Sequence, residues 1–236
     1  MTKRLAAAGL LLCLLAPAAP AQRSAQAIAD RINANYQRIR DASVDLTLDY
    51  SLLLFGCSGL RRLEGKGWFK APDRIKAVLE GVTYYARGNR IRKIDEKGKR
   101  FYVRLLHAVD FTPGFHAGLM PYNFHLRVLR DDAEGIVIQG IPKPGILKNV
   151  TEVRFYIDPQ RYTIEKLDLD LVDKNLSGRI HVTHQLIDDI WVPVGFEGTS
   201  ALELRRNMLI GLRLRLFASN VQLNTKLSDR LFDPGF

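Results

Sequence analysis

The side chains that could do chemistry in this chain are few, and their spacing argues against most reactions. His181 and His184 are the closest pair among five histidines. They lie in a run of alternating residues, where positions three apart face opposite sides of a strand, so they cannot converge on a zinc ion that needs three or four ligands. His184 shares parity with Ile180, Val182 and Leu186. That makes it a lone polar group on an apolar face, either a core histidine with its own hydrogen-bond partner or a contact for a ligand headgroup in a cavity. His107, His116 and His125 sit in or beside a Pro/Gly-rich segment with no metal-like frame. Asp168 and Asp170 share a strand face with Lys166 and read as a solvated outer face rather than an acid–base dyad. No metal site is expected.

Nucleophiles fare no better. Gly56-Cys57-Ser58-Gly59 lacks the G-x-S-x-G spacing that lifts a serine out of a sharp turn. Gly65-Lys66-Gly67 begins like a dinucleotide fingerprint, but Lys70 stands at the third glycine, and the surrounding residues read as strand where a helix N-terminus is required. No cofactor is expected, and the chain does not read as an enzyme. An esterase is the weakest reading, with Ser58 and His184 as its best residues.

The N-terminus carries Lys3 and Arg4, an apolar run from Leu5 to Leu15, then Ala19-Pro20-Ala21. Residues 1–21 read as a cleavable secretory signal, with cleavage before Gln22. The apolar run is shorter than the roughly 20 residues a bilayer core demands. Cys13 follows Leu12 inside that run, where a lipid-modified signal would place a small residue before its cysteine. The expected product is an unlipidated, soluble, periplasmic protein whose residues 22–236 form a single domain. Cys57 is then its lone cysteine, so no internal disulfide can form.

The formal charge is +10, and loss of the two basic signal residues leaves +8. Arg61-Arg62, the stretch Arg87 to Lys93, Lys97 to Arg100 and Arg205-Arg206 are scattered along the sequence. Export argues against nucleic acid as a partner; the charge fits either an anionic membrane surface or lysines and arginines at turns and strand edges that keep the protein soluble.

From Ser24 to Arg40, Ile28, Ile32, Tyr36 and Ile39 recur at helical spacing. Period two then takes over. Val44, Leu46, Leu48, Tyr50 and Leu52 alternate with polar residues, and alternation continues through 63–70, 73–80, 82–87, 90–95, 100–105, 135–140, 150–158, 162–171, 178–187, 190–204 and 208–223. The expected fold is mainly β (α+β): about a dozen antiparallel strands in a meander with one apolar face, preceded by an N-terminal helix. Residues 52–60 read as an apolar turn region. Residues 106–130, with Pro113, Gly114, Gly118 and Pro121 among aromatic residues, read as a loop or short helices capping something apolar. One four-turn helix cannot cover a dozen strands, so part of the apolar face is where a cavity would be.

Gly65-Lys66-Gly67-Trp68-Phe69-Lys70-Ala71-Pro72-Asp73-Arg74-Ile75-Lys76 resembles the G-x-W/F-x-K-x-P string of the outer-membrane lipoprotein-sorting (LolA/LolB-like) superfamily. Phe155-Tyr156-Ile157-Asp158 with Tyr162 to Leu167, and the closing Leu227 to Pro234, are similar to further signatures of that superfamily. The resemblance implies a curved, incomplete antiparallel β-barrel of eleven or twelve strands with an N-terminal helix and a lid segment, closed on its open side by helices and loops, that holds lipid or the acyl chains of a lipoprotein. Its lipoprotein carriers latch a lid through an arginine just before the motif proline, where this chain has Ala71, and Arg74 is not an aligned substitute.

The expected function is therefore a soluble periplasmic carrier binding lipid or lipoprotein acyl chains. Parity nominates Leu46, Leu48, Tyr50, Ile75, Ala77, Leu79, Val192, Val194, Phe196, Leu212 and Leu214 as cavity lining, and Phe115, Leu119 and Met120 as lid. The alternative is an envelope sensor or assembly factor that uses the same fold to hold a protein partner, with envelope membrane proteins as candidates.

Overall fold

Alternation this sustained can bury its apolar parity only by pairing strand with strand, and it does so throughout. A computed structural model describes residues 23–54, 57–87, 90–95, 120–145, 150–171, 176–204 and 208–233. The proposed signal, the strand expected at 100–105, His107, His116, Phe115 and Leu119 lie outside the described residues.

Helix α1 (Ala25–Tyr36) is followed by β1 (Asp41–Leu54), β2 (Cys57–Lys70), β3 (Arg74–Leu79), β4 (Val82–Arg87) and β5 (Arg90–Asp95). After a short helix, α2 (Met120–Asn123), come β6 (Phe124–Asp132), β7 (Gly135–Pro142), β8 (Val150–Ile157), β9 (Ile164–Leu171), β10 (Leu176–Ile187), β11 (Ile190–Leu204) and β12 (Met208–Leu223). All twelve strands form one antiparallel sheet in the order β5-β4-β3-β2-β1-β12-β11-β10-β9-β8-β7-β6. Two meanders are thus joined where the first strand pairs with the last. β5 and β6 are the two ends of the sheet, so the barrel is incomplete.

Ser24 starts α1 by accepting the Ala27 N–H on its hydroxyl, a helix N-cap, and the helix ends four residues before the expected Arg40. Ile28 and Ile32 are fully buried against α2 and the strands from β6 to β9. Both ends of α1 are fastened. Arg23 holds Asp131 on β6, and Arg31 donates to the Tyr162 hydroxyl at 2.8 Å. At the other end, the Asn35 side chain donates to the Trp191 carbonyl at 2.7 Å and accepts its N–H at 3.1 Å.

Two expectations are corrected. Residues 52–60 are not an apolar turn region: β1 runs to Leu54 and β2 starts at Cys57, with Leu54 opposite Cys57. The apolar string Leu52-Leu53-Leu54 belongs to one long hairpin. The end of the 106–130 segment is not loop either, because Phe124, Leu126 and Val128 keep period two and form β6 against β7.

Glycine does specific work in β2. A Cβ on Gly65 would lie 1.8 Å from the Val78 carbonyl oxygen, and one on Gly67 would lie 2.8 Å from Leu46 Cδ1. The Gly-x-Gly pair therefore admits close approach of neighbouring chain and not a phosphate. Beyond β12 the chain crosses the ends of β1 to β3. The buried Asp41 carboxylate accepts the Thr225, Lys226 and Leu227 N–H groups at 2.7, 3.1 and 3.3 Å and the Thr225 hydroxyl. Lys70 and Arg74 each reach Asp229 at 2.8 Å, where a 3-10 turn (Asp229–Phe232) buries Phe232. Arg74 thus clasps the C-terminal segment, while Ala71 is exposed in the β2–β3 turn.

Candidate functional site

The sheet's apolar face divides into three clusters. The largest joins α1 and α2 to β6–β9 through Ile28, Ile32, Met120, Phe124, Ile136 and Phe155, among others. A second lies where α1 ends and includes Ile39, Ala42, Ile190 and Val192, with Val194 packed against it. The third lies on β1, β2, β3, β4 and β12: Leu48, Tyr50, Leu63, Leu79 and Leu214, with Leu46, Tyr84 and Leu216. The helix packs chiefly on β6, β11 and α2, so it does not reach this third cluster. A twelve-residue helix is about 18 Å long, while twelve strands at about 4.8 Å spacing span more than 50 Å.

The nominated residues split accordingly. Leu46, Leu48, Tyr50, Leu79 and Leu214 come together on the third cluster. Ala77 lies in the row between Gly67 and Tyr84, and Ile75, between Phe69 and Ala86, is 37% exposed. Leu212 occupies the register position between Leu52 and Ser200. Val192 and Val194 belong to the second cluster, and Phe196 is half-buried opposite Val182 and Leu216. Met120 is buried in the largest cluster beneath α1. Leu63 and Tyr84 escaped the sequence reading. Their signal was the register, which sets Leu63 opposite Leu48 and Tyr84 opposite Ala77.

His184 has its own partner. The Tyr36 hydroxyl lies 2.8 Å from its Nε2. Burial pushes the Tyr36 phenol up, and burial followed by the nearby Arg161 charge pulls His184 down to about 4. Both groups are therefore neutral at pH 7 and share one hydrogen bond. The expected company of His184 changes, however. A bulge between Thr183 and His184 shifts the parity of β10, so Leu186 is 50% exposed while Ile187 packs inward.

Ser58 and His184 do not meet. Register places Ser58 in the row Leu53, Gly211, Ala201, Ser177, seven positions along β10 from His184. At about 3.3 Å per residue that is more than 20 Å along the strands alone. Asp168 is an outer-face ion-pair centre, bound to Lys166 at 3.0 Å, Arg179 at 2.9 Å and the Tyr156 hydroxyl at 2.9 Å. Among the described residues no group of three or more His, Cys, Asp or Glu side chains could hold a metal ion. No described helix is long and apolar enough to cross a membrane. The outer face has a shallow depression lined by Asp49, Ser51, Leu60, Arg213 and Arg215, but ion pairs occupy its polar groups: Asp49 with Arg62 at 2.7 Å, and Glu197 with Arg213 and Arg215.

No protein-family model matches the sequence, and no curated protein matches it. Solved structures do match the fold. A DUF1329 family protein from Desulfovibrio piger superposes with a TM-score of 0.65 at 14% identity, covering 90% of this chain and 98% of that one. A domain named for outer membrane lipoprotein sorting, from Vibrio parahaemolyticus, gives 0.60 at 14% identity, covering 87% and 95%. A LolA superfamily protein from Nitrosomonas europaea gives 0.58 at 12% identity, covering 90% and 98%. The likeness extends over nearly the whole of each chain, and it is a likeness of fold: this protein has the open-barrel architecture of LolA superfamily and lipoprotein-sorting structures.

Proposed function

We propose that this protein is a soluble periplasmic carrier that shields lipid, or the acyl chains of lipoproteins, from water against the apolar face of β1–β4 and β12. The observation that supports this reading is the third cluster, an apolar surface on the helix side of the sheet that the helix does not reach. Each CH₂ removed from water contributes about 0.8 kcal/mol, so such a surface needs shape and apolar lining rather than reactive groups. Leu46, Leu48, Tyr50, Leu63, Leu79 and Leu214 meet that description, with Ala77 between and Ile75 at the rim. Phe115 and Leu119 are proposed to cover the cargo. The fold shared with a structure named for lipoprotein sorting, and the secretory pattern of residues 1–21, support the periplasmic setting.

The test is organic extraction of the purified mature protein followed by lipid mass spectrometry. Recovery of near-stoichiometric phospholipid or acylated peptide is the expected result. Protein that emerges empty and also ignores added lipid and lipoprotein contradicts the proposal. Recovery of one stoichiometric protein and no lipid would instead favour an envelope sensor or assembly factor.

A further inference from the structure

The basic residues that look scattered in the sequence are gathered by the strand register. Across β2, β3 and β4 the face opposite the apolar clusters carries three rows. The first reads Lys70, Arg74, Arg87, the second Trp68, Lys76, Tyr85, and the third Lys66, Val78, Thr83. On β5 the first two rows continue to the register positions of Arg90 and Arg92. With strands about 4.8 Å apart and rows about 7 Å apart, the five cations on β2–β4 share a patch roughly 10 Å by 14 Å.

Neighbouring acids offset it only in part. Asp229 is shared by Lys70 and Arg74, Asp49 is taken by Arg62, and Asp45, opposite Lys66 in the register, accepts a hydrogen bond from Asn220. Glu64 lies on the Arg62 side of the patch. Among the described residues no carboxylate pairs with Lys66, Lys76 or Arg87. The contrast is the same face of β8–β10, where Arg154 meets Asp170 at 2.8 Å and Glu152 at 3.1 Å, and Lys166 and Arg179 both meet Asp168. Aromatic rings lie among the β2–β4 cations. Lys76 Nζ lies 5.4 Å from the Trp68 ring centre and 5.5 Å from that of Tyr85, and both rings are half-buried.

Cations interleaved with Trp and Tyr, whose rings have an apolar body and a polar tip, fit the headgroup layer of a bilayer. We infer that the outer face of β2–β4 docks the protein on an anionic phospholipid membrane. The surface lies on the opposite side of the sheet from the cargo face, and its existence does not depend on cargo. For a carrier it would hold the protein at the membrane while the other face stays free.

The experiment is flotation of the full mature protein with vesicles of phosphatidylcholine alone or mixed with phosphatidylglycerol. Binding is expected only to the mixed vesicles and is expected to fall on raising the salt to about 0.5 M, where the screening length is a few ångströms. The Lys66→Gln/Lys76→Gln/Arg87→Gln variant should bind at least about tenfold more weakly, since each basic side chain near such a surface contributes on that order. Arg127→Gln/Arg130→Gln/Arg179→Gln, an equal loss of charge elsewhere on the outer face, should bind like wild type. A second readout uses Trp191→Phe, which leaves Trp68 as the only tryptophan of the mature protein: brominated mixed vesicles should quench its emission. Equal binding to uncharged vesicles, equal weakening by both triple variants, or no quenching of Trp68 would overturn the inference. So would displacement by millimolar inorganic phosphate, or binding of a short oligonucleotide where mixed vesicles are not bound. Lipid extracted from the Lys66→Gln/Lys76→Gln/Arg87→Gln variant should match wild type, which separates failure of docking from failure of cargo binding.

Discussion

The two halves of the sheet's apolar face are built from the same alternating sequence, yet among the described residues only one of them packs under the helix. Under α1, Ile28, Ile32, Ile136, Ile138 and Val153 are 0% exposed, and Phe124 meets Phe155 edge to face with ring centres 5.4 Å apart. On β1–β4 and β12, Leu48, Tyr50, Leu63, Leu79 and Leu214 keep 6–7% exposure and pack against one another without the helix. One half spends its apolar surface on folding. The other is the half proposed to hold acyl chains, and at its margin lies the tail, fastened by its N–H groups to Asp41 and by Asp229 to Lys70 and Arg74.

If the halves differ in this way, truncation should cost them unequally. Phe155→Ala in the covered half should destabilise by about 3–5 kcal/mol, a typical cost for removing a buried ring. Leu214→Ala should cost the lipid-free protein roughly 2 kcal/mol or less and cost the lipid-loaded protein more. Urea unfolding of both forms measures this, and equal costs in lipid-free protein would erase the distinction. Close approach within the second half can be probed at β2. Gly65→Ala should cost about 3 kcal/mol, because its Cβ meets backbone that side-chain rotation cannot clear. Gly198→Ala, whose nearest contact is at 3.8 Å, should stay within about 1 kcal/mol. Thermal melts of the pair decide whether β2 is as tight as described.

The margin is the next target. Asp41→Ala removes the acceptor of three backbone N–H groups and should cost roughly 2 kcal/mol, with faster hydrogen exchange confined to residues 224–233. Exchange spreading evenly over both halves would mean the tail has no special role. The smallest effect belongs to His184 at the junction of α1 and β10. Its folded-state pKa of about 4 lies below the unfolded value near 6.5, so the unfolded chain binds the extra proton between those values. Stability should fall as pH drops from 6.5 to 4, by about 1 kcal/mol after allowance for partial solvent access. His184→Gln should flatten that slope, and an NMR titration placing the imidazole near 6.5 would disprove the assignment.

Much of this was legible in the sequence because its signals are local. Leu46, Leu48 and Tyr50 share a parity that can face only one way, and the helical spacing of Ile28, Ile32 and Tyr36 stops where period two begins. What escaped depends on pairing. Leu54 opposite Cys57 turns an apolar string into a hairpin, the bulge at His184 moves Leu186 outward, and the dense Pro/Gly composition before Phe124 hides the alternation of β6. Trp68, Lys76 and Tyr85 are eight and nine residues apart in sequence and adjacent in the sheet, a relation only register reveals. Parity likewise could not tell that Val192 would lie beneath the end of the helix while Leu48 would not.

The central claim is that acyl chains lie on the β1–β4/β12 half. A benzophenone amino acid placed at Leu48 and, separately, at Arg179 on the outer face of β10, with irradiation in living cells and mass spectrometry of the purified protein, tests it most directly. A phospholipid or lipoprotein adduct at position 48 and none at 179 is the predicted result. Lipid adducts at 179 alone, or a protein adduct and no lipid at 48, would contradict it.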